Sequence, residues 1–451
     1  MTQLGEAVAR YNKLIETSPY KDLAWADELR EQMQTKHLTV GGRPICPVLR
    51  PHFITRRQYK NLVKAAESLF GALDRIKHLA LANPALLARM ELLPAEKMLA
   101  SVDPGYQYLA VTSLLDTHIE NGHLHFVECN SDTASGVVYG EMLSELFYDA
   151  LPVKDFRKRH TLTKLGGMKY FLQALLKAYK QFGGKKSPQI GILEFRQPFQ
   201  TVDSGEYLLL REYFEREGYP TQVIYPDQLE YRAGVLKQGD FQIDLIYRRV
   251  KAQEFLIRFD LTHPLVRAYR EHAVCMVNSF RSELGHKKAI FDLLTDDNIT
   301  AGFPAAERKA IREYIPWTRL VSATKTSYND KAVDLIDFIL QNREKLVLKP
   351  NDDSGEQHTV HGSETDDAGW ERALKAAMRN PYVVQERVAP ASAMFPVLQW
   401  GALEMRELKV DVHPHSYLGK VQGCSSWVTA DGPAGFSSIS GLAPTFILES
   451  R

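Results

Sequence analysis

Asp116, Glu128 and Asn130 lie on the segment Leu114-Leu-Asp-Thr-His-Ile-Glu-Asn-Gly-His-Leu-His-Phe-Val-Glu-Cys-Asn130, and they offer the oxygen donors that a hard divalent cation requires. Magnesium takes near-octahedral oxygen ligands, usually one or two carboxylates completed by water and the phosphates of a nucleotide. Glu128 and Asn130 stand two positions apart, so on a strand they share a face. Asn121-Gly122 between two β-rich runs predicts a hairpin, and the hairpin's register decides whether Asp116 joins them. A loop of Glu120, Asn121 and Gly122 pairs Ile119 with His123 and sets Asp116 opposite Phe126, on the face of Glu128 and Asn130, with Gly122 in a left-handed bulge position. A two-residue loop pairs Glu120 with His123 and sets Asp116 opposite Val127, on the other face. The metal reading therefore predicts the longer loop. Spacing alone fits equally well the wet face of an ordinary hairpin. His123 and His125 also share a face, but two imidazoles without a third ligand read as a solvated surface.

Lys349-Pro-Asn-Asp-Asp-Ser354-Gly355 follows an apolar run and turns sharply, as a phosphate-facing lysine beside a loop requires. It lacks the Gly-x-x-x-x-Gly-Lys-[Ser/Thr] pattern of a Walker loop, and by itself it is equally an ordinary strand-to-turn connection. Tyr382-Val-Val-Gln-Glu-Arg-Val388 places polar side chains at a strand end, suited to the edge of an adenine, although a buried strand leaving the core looks the same. Arg196, and the pair Arg248-Arg249, each follow a strand where open α/β sheets bind ligands. There an arginine can clamp a substrate carboxylate, or simply form a surface ion pair.

The elements that must position these groups are legible in the hydrophobic pattern. Helical spacing runs from Glu6 to about Arg89, as in Leu62-Val63-Ala66-Leu69-Phe70-Leu73, with a Gly-Gly-Arg-Pro break at residues 41 to 44. A helix is expected at Gly140 to Phe147. From about Leu162 to Asn278 helices and strands alternate, with strands at 189–194, 221–225, 241–247 and 274–277, which predicts an open, largely parallel sheet. A second α/β unit begins at Arg281, with a helix from Lys287 to Leu294, a strand at 345–349, a helix around 370–378 and a strand at 382–385. The tail from Glu407 to Trp427 alternates with period two, before the Gly- and Ser-rich stretch from Ala430 to Gly441.

At 451 residues, with 25% charged and 44% hydrophobic residues, the chain is expected to form two or three packed subdomains. A net charge of +1 supplies no general field for nucleic acid or anionic membrane. Cys46, Cys129, Cys275 and Cys424 show no metal or disulfide spacing and read as buried thiols of a reducing compartment. The first residues lack a secretory signal and no stretch has membrane-spanning length, so a cytoplasmic location is expected.

Taken in order, Arg50-Pro-His-Phe-Ile54, Asp103-Pro-Gly-Tyr106, Asp116 with Phe126 to Gly136, His286-Lys-Lys288, Ile315-Pro-Trp-Thr-Arg319, Leu346 to Asp353 and Val384-Gln-Glu-Arg-Val388 resemble the circularly permuted ATP-grasp proteins, which include glutathionylspermidine synthetase. The resemblance covers most of the chain. It implies an α/β, α+β architecture: a helical lead-in at 1–95, the metal-ligand part of the ATP-grasp at 96–150, an open-sheet α/β domain at 160–280, the nucleotide-binding subdomain at 281–395 and the remaining ATP-grasp strands at 396–451. It implies that Asp116, Glu128 and Asn130 hold magnesium, and that Lys349 and one of Lys287 or Lys288 contact the phosphates of ATP. It further implies that Ser354 belongs to the phosphate loop and that Gln385, Glu386, Arg387 and Val388 line the adenine. The implied reaction joins a small-molecule carboxylate to an amine, such as an amino acid, peptide or polyamine, through an acyl phosphate, with Lys349 and Asn130 as catalytic groups. Thr133, Ser135 and Arg196 are the candidate substrate contacts. The chain departs from the family at Leu114, where relatives carry an arginine, at Gly355-Glu-Gln-His358, where they read Gly-Gly-Lys-Gly, and around Ser425 to Trp427, where a further arginine is expected. These departures keep open a second reading, a nucleotide-binding pseudoenzyme acting as a partner or regulatory subunit. A third, an unrelated α/β enzyme, requires the Glu-x-Asn and Lys-Pro segments to lie far apart.

Overall fold

The computed structural model describes residues 2–120, 122–131, 136–196, 205–353, 358–430 and 439–449, with the backbone alone at Glu120. Thr112–Glu120 and His123–Asn130 form the expected antiparallel hairpin. The period-two tail becomes two long strands, Ala402–Tyr417 and Lys420–Thr429, with burial alternating over 408–414 and continuous over 414–417 and 423–426. Thr112–Glu120 pairs with the end of the first of these, His415 opposite Leu114. One mixed-origin sheet thus carries the hairpin at one edge and Ser440–Ala443 at the other, with Ala391–Gln399 paired to the lower half of Ala402–Tyr417.

The alternating region folds as expected into a parallel sheet, ordered Cys275–Val277, Leu245–Arg248, Ile190–Leu193, Thr221–Ile224. Its central strands are buried at every position, which is why they read as apolar runs. The run expected as one strand at 241–247 is two: Phe241–Gln242 joins a separate antiparallel sheet, and Leu245–Arg248 enters the parallel one. Asp244 makes the break, its carboxylate accepting the Gln189 N–H at 3.0 Å.

The following unit is an antiparallel sheet ordered Thr318–Leu320, Tyr382–Glu386, Leu346–Pro350, Val360–His361. Helix Asp367–Ala377 covers it through Trp370, which is 1% exposed and donates its indole N–H to the Ile339 carbonyl. The helix expected at 287–294 begins only at Ala289 and is preceded by a separate short helix, Glu283–His286, with Lys287 and Lys288 at the joint. Asn351 explains the restart: its Oδ1 accepts the Ala289 N–H at 2.8 Å, capping the second piece.

The lead-in is dominated by Arg56–Ala82, a helix started by a Thr55/Gln58 capping box, with Leu62, Ala66, Leu69 and Leu73 on its buried face. It is not wholly helical. Thr39–Val40 and Arg43–Pro44 form a small hairpin at the Gly-Gly break, and His52–Thr55 runs parallel to Thr445–Leu448, tying residues near the two ends of the described chain into one sheet. Among the described residues no helix is long and apolar enough to cross a membrane.

Candidate functional site

The hairpin loop differs from the expectation, yet Asp116, Glu128 and Asn130 still share a face. Glu120 pairs with His123, so the loop is the two-residue one, although Asn121 itself lies outside the described residues. Gly122 takes the left-handed conformation at φ +84°. The ladder then shifts: Thr117 is opposite Phe126, but Asp116 is opposite Glu128, leaving Val127 as a bulge. That extra residue returns Asp116 to the face of Glu128 and Asn130. The three-residue loop was the wrong device for a correct face.

Around this face the polar groups converge. Asn130 Nδ2 lies 3.4 Å from Asp116 Oδ1, and His413 Nε2 lies 3.7 Å from the same oxygen. Lys288 Nζ sits 3.3 Å from Glu128 Oε1 and donates to the Asp353 carbonyl at 2.7 Å. Two carboxylates side by side, with an amide whose oxygen is one flip from the same space, are a donor set that fits a hard cation sharing its shell with phosphates. Among the described residues no three His, Cys, Asp or Glu side chains converge as a self-sufficient metal cluster, so such an ion would depend on further oxygen ligands.

The Lys349 strand and the 385–388 segment reach this face from the neighbouring sheet. Lys349 Nζ donates to Gln385 Oε1 at 2.9 Å, and Gln385 Nε2 reaches the carbonyl of the bulged Val127 at 3.5 Å. His118, two residues beyond Asp116, bonds the Val388 carbonyl through Nδ1 at 3.1 Å and lies 3.4 Å from Asp411 through Nε2. Burial lowers the His118 pKa, with Asp411 opposing and Lys349 and His413 adding to the drop. The Glu-x-Asn and Lys-Pro segments are therefore adjacent, against the third reading. Beside the segment lies a cleft of about 440 Å³ whose walls include His125, Arg312, Lys345 and Glu386 to Val388. Glu386 is held there by the Tyr328 hydroxyl at 2.6 Å, and the Arg387 N–H is bonded to the Lys345 carbonyl.

The two lysines at the helix break are not equivalent. Lys288 faces the hairpin. Lys287 is 2% exposed and pairs with Glu96, at 2.9 Å, and with Asp352, whose carboxyl is held far below the usual range by His286 and Lys287 despite its burial. Arg196 stacks 5.0 Å over the Tyr225 ring. Arg248 is buried in an ion pair with Glu283 at 2.7 Å, and Arg249 is engaged by Glu194 and Glu206. Thr133, Ser135 and Ser354, with Gly355 to Gln357, lie outside the described residues. Leu114 is buried opposite His415, whose imidazole burial pushes down to about 3, and whose Nε2 shares a hydrogen bond with Ser425. A leucine and a serine thus stand at two of the positions where arginines were expected, with the buried imidazole of His415 between them. Asp411, His413 and His118 were not foreseen as part of this face. The period-two tail carries the signal for the first two, since 411, 413 and 415 fall on one face of a strand.

No protein-family model and no curated protein matches the chain. Among solved structures, a glutathione synthetase-like effector from Globodera pallida superposes with a TM-score of 0.60 at 14% identity, covering 96% of this chain and 98% of that one. A putative γ-glutamylcysteine synthetase from Methylobacillus flagellatus KT matches at a TM-score of 0.42 and 11% identity over 87% of each chain. A RimK domain ATP-grasp protein from Sphaerobacter thermophilus matches 57% of this chain and 89% of its own, at 15% identity and a TM-score of 0.28. The first superposition spans nearly the whole of both chains at an identity too low to carry function. The chain shares its fold with that glutathione synthetase-like effector, and its structural neighbours are of ATP-grasp type.

Proposed function

We propose that the protein is an ATP- and magnesium-dependent carboxylate–amine ligase of the circularly permuted ATP-grasp type. The observation that carries this reading is the shared face of Asp116, Glu128 and Asn130 with Lys288 beside Glu128, and the contact of the hairpin's Val127 carbonyl with Gln385, which in turn accepts from Lys349. In this reading the three oxygen-bearing residues hold magnesium, which supplies charge neutralisation on the transferred phosphoryl group. Lys288 and Lys349 bind and orient the phosphates, and Gln385 to Val388 line the base. Closure of the two sheets over them excludes water from an acyl phosphate that an amine then attacks. The permutation is supported by the pairing of residues 112–114 with 415–417, which joins a hairpin early in the chain to strands that follow the nucleotide segment. The five divisions at 1–95, 96–150, 160–280, 281–395 and 396–451 remain our subdomain scheme.

A second reading, a pseudoenzyme that binds nucleotide without turnover, is favoured by one specific observation. Leu114 is buried against His415, so no cation stands at that point of the hairpin. Loss of an arginine facing the phosphoryl group costs roughly a hundredfold or more in rate.

Thermal unfolding with ATP, with and without magnesium, tests nucleotide binding; ADP release against pools of amino acids and polyamines then tests turnover. The ligase reading expects magnesium-dependent stabilisation that Asn130→Ala abolishes selectively, followed by ADP release with one pool. Stabilisation without ADP release selects the pseudoenzyme. No stabilisation by ATP under either condition rejects both.

A further inference from the structure

Two ends of the hairpin disagree about its register. From Glu120 to Leu114 is six steps along the first strand, whereas their partners, His123 and Asn130, are seven steps apart on the second. The two-residue turn alone would continue a regular ladder and put Asp116 opposite Val127, its side chain on the face away from Glu128. Something at the open end must hold the shifted register against the turn.

Asn278, just after the strand Cys275–Val277 of the neighbouring parallel sheet, is fully buried at that open end. Its Oδ1 accepts the N–H of Val111 at 2.8 Å and of Thr112 at 3.1 Å. Its Nδ2 donates to the Thr112 carbonyl at 2.7 Å and to the Ser131 carbonyl at 2.7 Å, with the Thr112 hydroxyl at 3.1 Å. One side-chain amide thus does for Thr112 what a paired strand would do, and at the same time grips Ser131, the residue that follows the opposite strand. The neighbouring strand Ala402–Tyr417 cannot substitute, because it pairs with the first hairpin strand alone. Asn278 is in turn fixed by Arg248, whose Nε donates to the Asn278 carbonyl at 2.9 Å.

We propose that Asn278 is a positioning residue that clamps the open end of the hairpin in the bulged register and so brings Asp116 beside Glu128. Removal of the amide donor releases the Thr112 and Ser131 carbonyls from their common partner, and the turn's own register is then free to prevail. The bulge is the direct product of the conflict: the turn sets one end, Asn278 sets the other, and Val127 absorbs the difference. The same bulge turns the Val127 carbonyl toward Gln385, so a register change would also loosen the contact between the two sheets.

The inference rests on the magnesium reading of this face, and the test separates the two. Stabilisation by ATP is titrated with magnesium in the wild-type protein and in Asn278→Asp, which keeps the size and the acceptors and loses the donor. The expected result is a magnesium half-point at least tenfold higher in the variant, with equal stabilisation by ATP in the absence of magnesium; a role confined to general stability would lower the unfolding temperature without moving that ratio. Equal half-points overturn the clamp. A wild type that ignores magnesium rejects the magnesium reading, and the inference with it, and is recognised without the variant. Should Asn278→Asp fail to fold, Asn278→Ser, which retains one short donor, is measured by the same criterion, together with hydrogen exchange across residues 112–131.

Discussion

Lys288 Nζ lies 3.3 Å from Glu128 Oε1, while its neighbour Lys287 is locked between Glu96 and Asp352, so two adjacent lysines of one helix break serve opposite ends of the joint. Only the first looks onto the hairpin. Lys288→Met removes one charge-assisted hydrogen bond to a phosphate, about 1.5–3 kcal/mol, and is expected to weaken ATP roughly ten- to hundredfold. Isothermal titration with ATP checks this, and unchanged affinity would falsify the phosphate role.

Lys287→Met should act on stability instead. Glu96 is fully buried, and the variant leaves its carboxylate without a cation and Asp352, which is half-buried, with His286 alone. Breaking a buried pair in this way costs about 3–5 kcal/mol. Urea unfolding reads the loss directly, and a cost below about 1 kcal/mol would place the pair among exposed ones.

Arg248 and Glu283 form a second buried pair, at 2.7 Å, joining the parallel sheet to the segment that leads into Lys288. Arg248→Met is expected to cost about 3–5 kcal/mol, and Arg248→Met with Glu283→Leu to recover part of it, because the orphaned charge is then gone. A double-mutant cycle in urea tests this; additive costs would show that the two residues are uncoupled.

Acid should destabilise the protein before its carboxylates titrate. Burial pushes the imidazoles of His52 and His415 down to about 3, with Arg50 contributing at the first and His413 at the second. In the unfolded chain each takes a proton near 6.5. Between about pH 6.5 and 3 the unfolded state therefore binds more protons, and stability falls as pH falls, by up to about 1.4 kcal/mol per pH unit for each histidine. Urea midpoints at pH 7, 6 and 5 should drop progressively, and His52→Gln should flatten the slope. A slope indifferent to that substitution would remove His52 from the account.

Gly122→Ala isolates the backbone term at the turn. No atom lies within 4 Å of the added Cβ, so the cost is that of φ +84° for an L residue, about 1 kcal/mol. A loss several times larger would point to a hairpin that has changed register.

Much of the site was legible as local pattern. The i and i+2 spacing of Glu128 and Asn130, the apolar run before Lys349 and the alternation of 407–427 are consequences of strand periodicity, which needs no tertiary information. The break between Lys287 and Lys288 was not legible, because it is made by Asn351, distant in sequence, capping Ala289. The split of 241–247 likewise follows from where Asp244 finds the Gln189 N–H.

The hairpin register shows where that boundary falls. The residue types determined that a cation site was chemically available and that Asn121-Gly122 would turn the chain. The alignment of Asp116 with Glu128 was decided by tertiary structure alone, since a two-residue turn argues for the opposite face and is overruled at the far end by Asn278. The exclusion of Lys287 from the hairpin and the burial of Leu114 beside a neutral His415 were decided there too. The physical reason is common to all three: local sequence sets periodicity and turn preference, whereas register and charge partnership depend on groups that only the folded chain brings together.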